Sequence, residues 1–473
     1  MRDEGRFYIN GEWVRPAGHR QIINVENPAT ETVAGQVLQA TREDVDQAVA
    51  AARAAFQDYS QWSRQERLRL LDRIIADYKA RAHELASVMT EEMGASRRTA
   101  VEQQVPAGLK HLESAYHALK LFPFKMTTSA DNRVVREPIG VCALITPWNW
   151  PMNQIAAKVA PVLATGCTCV LKPSEVAPLS AHIFAEILHE AGVPAGVFNL
   201  VDGTGSEVGA YMAGHPGVDM VSFTGSTRAG VDVSHKAAPT IKRVTLELGG
   251  KSPNIILDDA DLESAVRAGT HLCMNNVGQS CDAPSRMLVP NSRMVEAIRI
   301  AKEAAAEVTT GDPTSDVDNG PIAYRGQYDK IVSLIQKGIE EGCELVYGGA
   351  ERPPGLARGW FVQPTVFARV CNDAAIAREE IFGPVLSVIG YEDEEEAIRI
   401  ANDTPYGLAA YVQSASVERA RKVASRLQAG YIEINYPAGD PEAPFGGYKQ
   451  SGNGREGGAA GFESFLEIKS IIG

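Results

Sequence analysis

The sequence lacks several features that would assign it to a membrane-bound, secreted or nucleic-acid-binding class. No uninterrupted apolar run reaches the roughly 18–20 residues that span a bilayer. The first residues, Met1 to Phe7, contain no apolar core of signal-peptide length. Basic residues are not in excess: the formal net charge is −13, which opposes nonspecific binding to nucleic acid or to an anionic membrane. We therefore expect a cytoplasmic protein with neither kind of partner.

Cysteine is scarce as well. The 7 cysteines are odd in number and scattered over 473 residues, which argues against a disulfide framework. Cys167 and Cys169 form a C-x-C pair, but no second Cys or His pair follows at metal-site spacing. Because the pair alternates within a strand-like run, we interpret it as strand packing and predict no metal site.

The length favours two or three domains, and 44% hydrophobic with 22% charged residues is typical of a soluble globular protein. From about residue 132, strand-like and helix-like segments alternate, and the strands are continuously apolar. This pattern predicts a parallel, doubly wound α/β sheet. A second alternating series begins after Gly250 and predicts a second α/β domain. Predicted strands cover 132–138, 140–146, 168–172, 198–201 and 218–223, then 254–257, 286–289, 385–391, 410–413 and 431–434.

Helix starts are marked by capping patterns. Thr41 with Asp44 and Ser63 with Glu66 form capping boxes, and the second precedes a long amphipathic pattern that ends near Gly94. Further helices are predicted over 154–165 and 179–191, and from about 262, 293, 394 and 417. The tail from 463 to 472 is strand-like, so we expect it to be frayed or paired, including with another subunit.

Cys281 is the candidate nucleophile. It follows Gly278-Gln279-Ser280, and Glu247 lies thirty-four residues earlier. A free cysteine is usually a small core residue, whereas a thiolate with a nearby base can carry covalent catalysis. The residues around Cys281 leave both interpretations open.

Three short motifs follow predicted strands, where doubly wound sheets bind ligands. Gly225 and Ser226 precede a helix, whose free N–H groups can hold a phosphate. Lys172 and Glu175 can meet phosphate or ribose, and Asn149 sits in a stiff Pro/Trp loop from which its amide can stabilise an oxyanion. Each motif alone is equally compatible with a plain turn, a surface ion pair or a capping Asn.

Taken in order, the motifs resemble the NAD(P)-dependent aldehyde dehydrogenase superfamily over nearly the whole chain. The resemblance rests on Pro147-Trp148-Asn149, Lys172-Pro173-Ser174-Glu175, Phe223-Thr224-Gly225-Ser226, Glu247-Leu248-Gly249-Gly250-Lys251, Gly278-Gln279-Ser280-Cys281, Glu379-Glu380-Ile381-Phe382-Gly383-Pro384, Asn402-Asp403-Thr404-Pro405-Tyr406-Gly407 and Pro444-Phe445-Gly446-Gly447-Tyr448-Lys449. It implies a Rossmann-like NAD-binding domain (1–119 and 139–249), an α/β catalytic domain (250–445) and an oligomerisation element (120–138 and 446–473). It also implies a homodimer or homotetramer.

The resemblance implies that Cys281 attacks an aldehyde to form a thiohemiacetal and then a thioester. Asn149 and the Cys281 backbone N–H would hold the oxyanion, and Glu247 would act as general base for hydrolysis. Because relatives that release acyl-CoA generally lack this glutamate, a free acid is the expected product. A CoA-acylating semialdehyde dehydrogenase and a catalytically silent protein on the same scaffold are the alternatives.

The cofactor residues are inferred in the same way. Lys172 and Glu175 would meet the adenosine ribose, which favours NAD but leaves NADP possible. Glu380 would bind the nicotinamide ribose, with Phe382 beside the nicotinamide. The full predicted cofactor set is Thr146, Pro147, Trp148, Lys172, Ser174, Glu175, Gly205, Phe223, Gly225, Ser226, Leu248, Gly249, Glu380 and Phe382.

The substrate tunnel is predicted to be roomy at Ala157 and polar at Gln154. Asp282, directly after Cys281, is expected to point away from the sulfur or to line the tunnel. The sequence resembles a bacterial catabolic subgroup acting on semialdehydes, ω-oxo acids and other extended aldehydes. The predicted substrate residues are Trp150, Gln154, Ala157, Ser280, Asp282 and Phe445.

Overall fold

The computed structural model describes residues 2–16, 18–440 and 442–473. Thr41 and Ser63 cap their helices in the predicted reciprocal boxes. The amphipathic stretch that ends at Gly94 is two helices, because Arg81 leaves helical geometry and pairs with Glu84 and Glu186. The elements here are β1 Arg2–Glu4, β2 Phe7–Ile9, β3 Glu12–Val14, β4 Ile22–Asn27, β5 Thr32–Leu38, α1 Arg42–Tyr59, α2 Arg64–Ala80, α3 Ala82–Met93, α4 Arg97–Thr99, a π-helical turn Ala100–Gln104 and α5 Val105–Leu121.

The first large sheet has a parallel centre in the order β10-β9-β8-β11-β12, and β2 and β3 extend it beyond β10. The chain runs outward from β8 to β10 and then returns to β11 on the other side of β8. That reversal is the topological switch point at which such sheets bind ligands. The elements are β6 Lys125–Thr127, β7 Arg133–Pro138, β8 Val141–Ile145, α6 Pro151–Thr165, β9 Thr168–Lys172, α7 Leu179–Glu190, β10 Phe198–Leu200, a π-helical turn Gly205–Gly209, α8 Ala210–Gly214, β11 Met220–Thr224, α9 Thr227–Ala237 and β12 Arg243–Glu247.

The second large sheet has the order β15-β16-β17-β14-β13-β18-β19 and is parallel except at β15. Helix α12 and strands β15 and β16 were not predicted, because α12 starts without a side-chain cap and β15 is a largely exposed edge strand. The elements are β13 Pro253–Ile256, α10 Leu262–Met274, β14 Arg286–Pro290, α11 Met294–Glu307, α12 Arg325–Glu340, β15 Glu344–Tyr347, β16 Thr365–Ala368, α13 Ala375–Arg378, β17 Val385–Tyr391, α14 Glu394–Asn402, β18 Ala409–Gln413, α15 Val417–Ala424 and β19 Tyr431–Ile434.

The tail returns to the body of the molecule. β20 (Gly452–Asn453) pairs with β12 and so extends the first large sheet. After α16 (Ala460–Glu463), β21 (Leu466–Ile471) pairs with β7 in a small sheet of order β21-β7-β6. The predicted tail strand therefore has a partner within its own chain.

Apolar side chains pack on both faces of each large sheet. Along β8, Leu144 belongs to the core on one face and Ala143 to the core on the other. Along β14, Leu288 likewise belongs to the core on one face and Met287 to the core on the other. Burial on both faces is why these strands are continuously apolar. Within the described ranges, no helix is both long and apolar enough to cross a membrane.

Candidate active site

A cavity of about 150 Å³ lies where loops of the two large sheets meet. From the first sheet it receives the carboxyl ends of strands: Asn149 follows β8, Gly225 follows β11, and Glu247 ends β12. From the second sheet it receives the amino ends: Cys281 precedes β14, and Glu380 precedes β17. The predicted site residues that line it are Pro147, Trp148, Asn149, Gln154, Gly225, Ser226, Glu247, Leu248, Gly249, Cys281, Glu380 and Phe382.

The loop that carries Cys281 has an unusual backbone. After α10, Asn276 and Val277 adopt φ values of 51° and 59°, in the left-handed region. A β-branched residue rarely adopts this conformation, so the surroundings must impose it. The Asn276 side-chain amide donates to the Asn149 carbonyl at 3.0 Å, and the Val277 N–H donates to Asn319 Oδ1 at 3.3 Å.

Gly250 permits the close approach of the two halves. A Cβ atom at this position would lie 2.4 Å from the Cys281 carbonyl oxygen. Only glycine therefore allows the segment after β12 to lie against the cysteine loop.

The Cys281 thiol is half-buried in an acidic neighbourhood. Burial raises its pKa well above the usual value, and the charges of Asp282, Glu247 and Glu380 raise it further. In the structure as it stands the neutral thiol is therefore favoured. Nucleophilic attack requires a base to take the proton or a cation to stabilise the thiolate.

Glu247 is only 5% exposed, and within the described part of the chain neither carboxylate oxygen has a hydrogen-bond partner. Burial raises its pKa well above the usual value. Glu456 adds to the rise, whereas Lys158 and Arg455 oppose it. Lys158, itself fully buried, pairs with Glu456 at 2.5 Å. A carboxyl group with a raised pKa can exchange protons near neutral pH, as a general base must.

Asn149 is held rigidly and is 3% exposed. Its side-chain amide donates to the Gln279 carbonyl at 3.0 Å, and Gln104 and Asn276 donate to its own backbone carbonyl. A primary amide has two N–H donors. One fixes the side chain here, which leaves the other for an oxyanion formed at Cys281.

The side of the cavity where the cofactor is predicted to bind offers donors, acceptors and two aromatic rings. Ser226 caps α9, and its backbone lies at the helix N-terminus, which favours a phosphate. The Trp148 and Phe382 rings meet edge to face with centroids 5.5 Å apart. Glu380 accepts the Gly250 N–H at 3.1 Å. The Thr224 hydroxyl is buried without a described partner.

A second predicted cofactor group lies outside the cavity lining, further along the same sheet edge. The Lys172 amine donates to the Pro173 and Gly203 carbonyls and lies 3.4 Å from Glu175. The Gly205 N–H donates to Glu175 at 3.3 Å, and a Cβ at Gly205 would meet no atom within 4 Å. Thr146, Ser174 and Phe223 are likewise outside the lining.

These residues fit a dinucleotide: a helix N-terminus for phosphate, carboxylates for ribose hydroxyls, and aromatic rings in the same cavity as Cys281. Across the described residues, no group of three or more His, Cys, Asp or Glu is placed to hold a metal ion.

Of the predicted substrate residues, Gln154 alone lines this cavity in the described structure. The Trp150 indole N–H donates to the Ser280 hydroxyl at 2.8 Å. The Asp282 carbonyl accepts the Tyr411 hydroxyl at 3.1 Å; the residue is outside the cavity lining, and its charge raises the pKa of Cys281. Ala157 is buried on α6, and the Phe445 ring packs 5.5 Å from that of Tyr431.

Four residues that line the cavity were not predicted from the sequence: Thr224, Tyr324, Gln327 and Lys330. Thr224 lies inside the quoted Phe-Thr-Gly-Ser motif and could have been included. The other three belong to the start of α12, which was not predicted. The Gln327 side-chain amide donates to the carbonyls of Ile381 and Phe382 and thereby holds the loop that precedes β17.

Comparison with known proteins decides the family. Residues 13–471 match the profile of the aldehyde dehydrogenase family. The chain belongs to this family. It is 56% identical, over 100% of its length and 99% of the relative's, to 3-succinoylsemialdehyde-pyridine dehydrogenase of a Pseudomonas species. The predicted family, fold and oxidoreductase class are thus confirmed.

Solved structures of other aldehyde dehydrogenases superpose closely on this one. A cysteine-to-alanine mutant of aldehyde dehydrogenase C from Pseudomonas syringae, complexed with NAD+ and octanal, is 51% identical with a TM-score of 0.98, over 99% of this chain and 96% of that one. The Mycobacterium tuberculosis aldehyde dehydrogenase complexed with NAD+ is 39% identical with a TM-score of 0.96, over 100% and 98%.

Proposed function

We propose that this aldehyde dehydrogenase oxidises an aldehyde to the free carboxylic acid through a thioester on Cys281, with NAD+ as its cofactor. The observation that carries the proposal is the single cavity shared by Cys281, Glu247 and Asn149. A nucleophile, a base and a rigid amide donor in one volume are the minimum set for acyl transfer to water.

In this proposal the Cys281 sulfur attacks the aldehyde carbon as the thiolate, after its proton has passed to water or to Glu247 and from there to solvent, which leaves Glu247 deprotonated for the later step. Asn149 Nδ2 and the Cys281 N–H bind the oxyanion, each donor contributing about 3–4 kcal/mol. NAD+, when bound, supplies the acceptor for the hydride that leaves the aldehyde carbon. Glu247 then takes a proton from water as the water attacks the thioester, and Cys281 leaves with the electrons of the C–S bond.

The cofactor assignment is supported by residues along the first sheet's carboxyl edge and by Glu380 from the amino edge of the second sheet. Ser226 and Trp148 would hold the pyrophosphate, Glu380 the nicotinamide ribose, and Lys172 with Glu175 the adenosine ribose. The Glu175 carboxylate would repel a 2′-phosphate, so we propose NAD as the main cofactor over NADP. The NAD+ complexes of two relatives support the same choice.

The proposed substrate is a semialdehyde, an ω-oxo acid or another extended aldehyde. The small Ala157 and the polar Gln154 on α6 support an extended, partly polar substrate. The relative at 56% identity is named for a semialdehyde, and the Pseudomonas syringae relative was crystallised with octanal.

We also propose a homo-oligomer, a dimer or a tetramer, assembled through the predicted element at 120–138 and 446–473. Ile468 and Ile472 are exposed apolar side chains in and beside β21, Met126 is exposed in β6, and Leu121 is exposed at the end of α5. Exposed apolar side chains grouped on one element are typical of subunit contacts. The cytoplasmic location and the domain boundaries stay predictions.

An aldehyde panel tests the proposed activity. NADH absorbance would be followed with short, long, aromatic and carboxylated aldehydes, each with NAD+ or NADP+ and with or without CoA. Mass spectrometry should find the free acid in every productive reaction, CoA present or not. Acyl-CoA as the product, with NADH formed only when CoA is added, would support the acylating alternative. No turnover of any aldehyde would support the silent scaffold.

A further inference from the structure

The active-site cavity contains a buried amide that the reaction described above does not use. Gln154 is 6% exposed and lines the cavity together with Cys281 and Glu247. Among the described residues its Oε1 has no hydrogen-bond partner, and the same is true of both Glu247 oxygens. A buried acceptor left unpaired costs about 1–3 kcal/mol. Both residues line the same small cavity, so one hydrogen-bond donor placed between them would satisfy an acceptor on each.

The position of Gln154 on α6 indicates which face of the helix it occupies. It lies one turn before Lys158, and side chains four residues apart share a helix face. Lys158 pairs with Glu456, the ion pair whose charges act on Glu247. Gln154 is thus on the face of α6 that carries Lys158, and it lines the same cavity as Glu247. Because α6 is buried along almost its whole length, the side chain has little freedom to turn elsewhere.

We propose that Gln154 is a further catalytic residue, whose side-chain oxygen accepts one hydrogen of the water that hydrolyses the thioester while Glu247 takes the other. The proposal rests on the thioester chemistry proposed above. The water oxygen forms a bond to the acyl carbon, one proton goes to Glu247, and the C–S electrons return to Cys281. Held by two acceptors, the water presents its lone pair to the acyl carbon.

A neutral acceptor suits this place better than a charged one. Asp282, Glu247 and Glu380 already raise the pKa of Cys281, and Glu456 raises that of Glu247 against Lys158 and Arg455. Another carboxylate in the cavity would raise the pKa of both groups further. Glutamine orients the water without adding charge.

The test variant is Gln154→Met, which keeps the length of the side chain and removes the acceptor. Stopped-flow NADH traces should show a burst of about one NADH per subunit at the wild-type rate, followed by a steady state slowed about 10- to 100-fold. Mass spectrometry of acid-quenched enzyme should show the thioester accumulating on Cys281. Hydroxylamine, a stronger nucleophile than water, should cleave this thioester as the hydroxamate when it is added after the burst and after removal of free aldehyde, with which it forms an oxime.

Two further variants make the result specific. Gln154→Glu restores an acceptor of the same shape, so it should recover deacylation, but only at higher pH because of the added charge. Asn153→Leu removes the neighbouring amide on α6, whose Oδ1 lies 2.8 Å from the His111 ring nitrogen; it should leave the ratio of burst to steady state unchanged.

The inference is overturned if Gln154→Met deacylates at the wild-type rate. It is also overturned if only the aldehyde KM rises, because Gln154 would then hold the substrate. A wild-type enzyme that never acylates Cys281 would instead overturn the proposed function itself.

Discussion

The two large sheets contribute opposite ends to one cavity. The first presents the carboxyl ends of its parallel strands, where α/β sheets ordinarily bind ligands. The second presents the amino ends, with Cys281 in front of β14 and Glu380 in front of β17. The rule that α/β sheets bind ligands at the carboxyl ends of their strands therefore predicts where the cofactor side of this site lies, but it does not predict where Cys281 lies. The amino-end loops instead rely on a strained backbone at Asn276 and Val277 and on the close contact at Gly250.

The two sheets also separate the proposed nucleophile from the proposed base. Cys281 comes from the amino edge of one sheet, and Glu247 ends a strand of the other. The chemistry therefore depends on how the two sheets meet, whereas cofactor binding depends mainly on the first. Variants in the two halves should have different kinetic signatures.

Cys281→Ala should have the largest effect, because it removes the nucleophile from the amino edge. We expect aldehyde-dependent NADH formation to fall by at least about 10³-fold, with NAD+ binding by calorimetry unchanged. The exposed Cys371→Ala is the matched control and should keep wild-type turnover. Retained hydride transfer in Cys281→Ala would remove the cysteine from its assigned role.

Glu456→Gln should shift the pH profile. Glu456 raises the pKa of Glu247, so its neutralisation, which also leaves the Lys158 charge unbalanced, should lower that pKa. Glu247 works as a base when deprotonated, so the acid limb of the deacylation rate should move to lower pH. The measurement is single-turnover deacylation against pH, with Glu463→Gln, a neutralised exposed carboxylate of the same tail, as control. If the acid limb stayed at the same pH, the charge of Glu456 would have no effect on the pKa of Glu247.

Glu175→Ala should have the smallest effect, because it acts at the far end of the carboxyl edge. Losing the proposed ribose contact should raise the KM for NAD+ about 10-fold with kcat little changed. Removing the negative charge should lower the KM for NADP+, because the carboxylate no longer repels the 2′-phosphate. Initial rates with both cofactors measure this, with Glu190→Ala on α7 as control. A fall in kcat at saturating NAD+ would show that Glu175 affects the catalytic steps as well as cofactor binding.

Much of this arrangement could be predicted from local patterns. Strands β9 and β17 have the predicted bounds, because strands buried on both faces are continuously apolar. Both capping boxes were predicted from residues three apart. The Gly-Gln-Ser-Cys run predicted a nucleophile only in combination with the other family motifs.

Long-range contacts could not be predicted in this way. The hydrogen bond from Trp150 to Ser280 and the anchoring of Asp282 by Tyr411 join residues about 130 positions apart. The cavity residues at the start of α12 were not predicted, because that helix begins without a side-chain cap. The unpaired acceptor on Gln154 emerges only from the packed structure.

The most direct test of the two-edge site uses Glu247→Gln, which leaves the nucleophile intact and removes the base. The variant would be mixed with NAD+ and aldehyde, quenched in acid and digested, and the peptide that contains Cys281 would be weighed. The account predicts about one acyl group per subunit on Cys281, formed together with one NADH and hydrolysed slowly. NADH formed in a burst without acylation of Cys281, or with the acyl group on another cysteine, would contradict it.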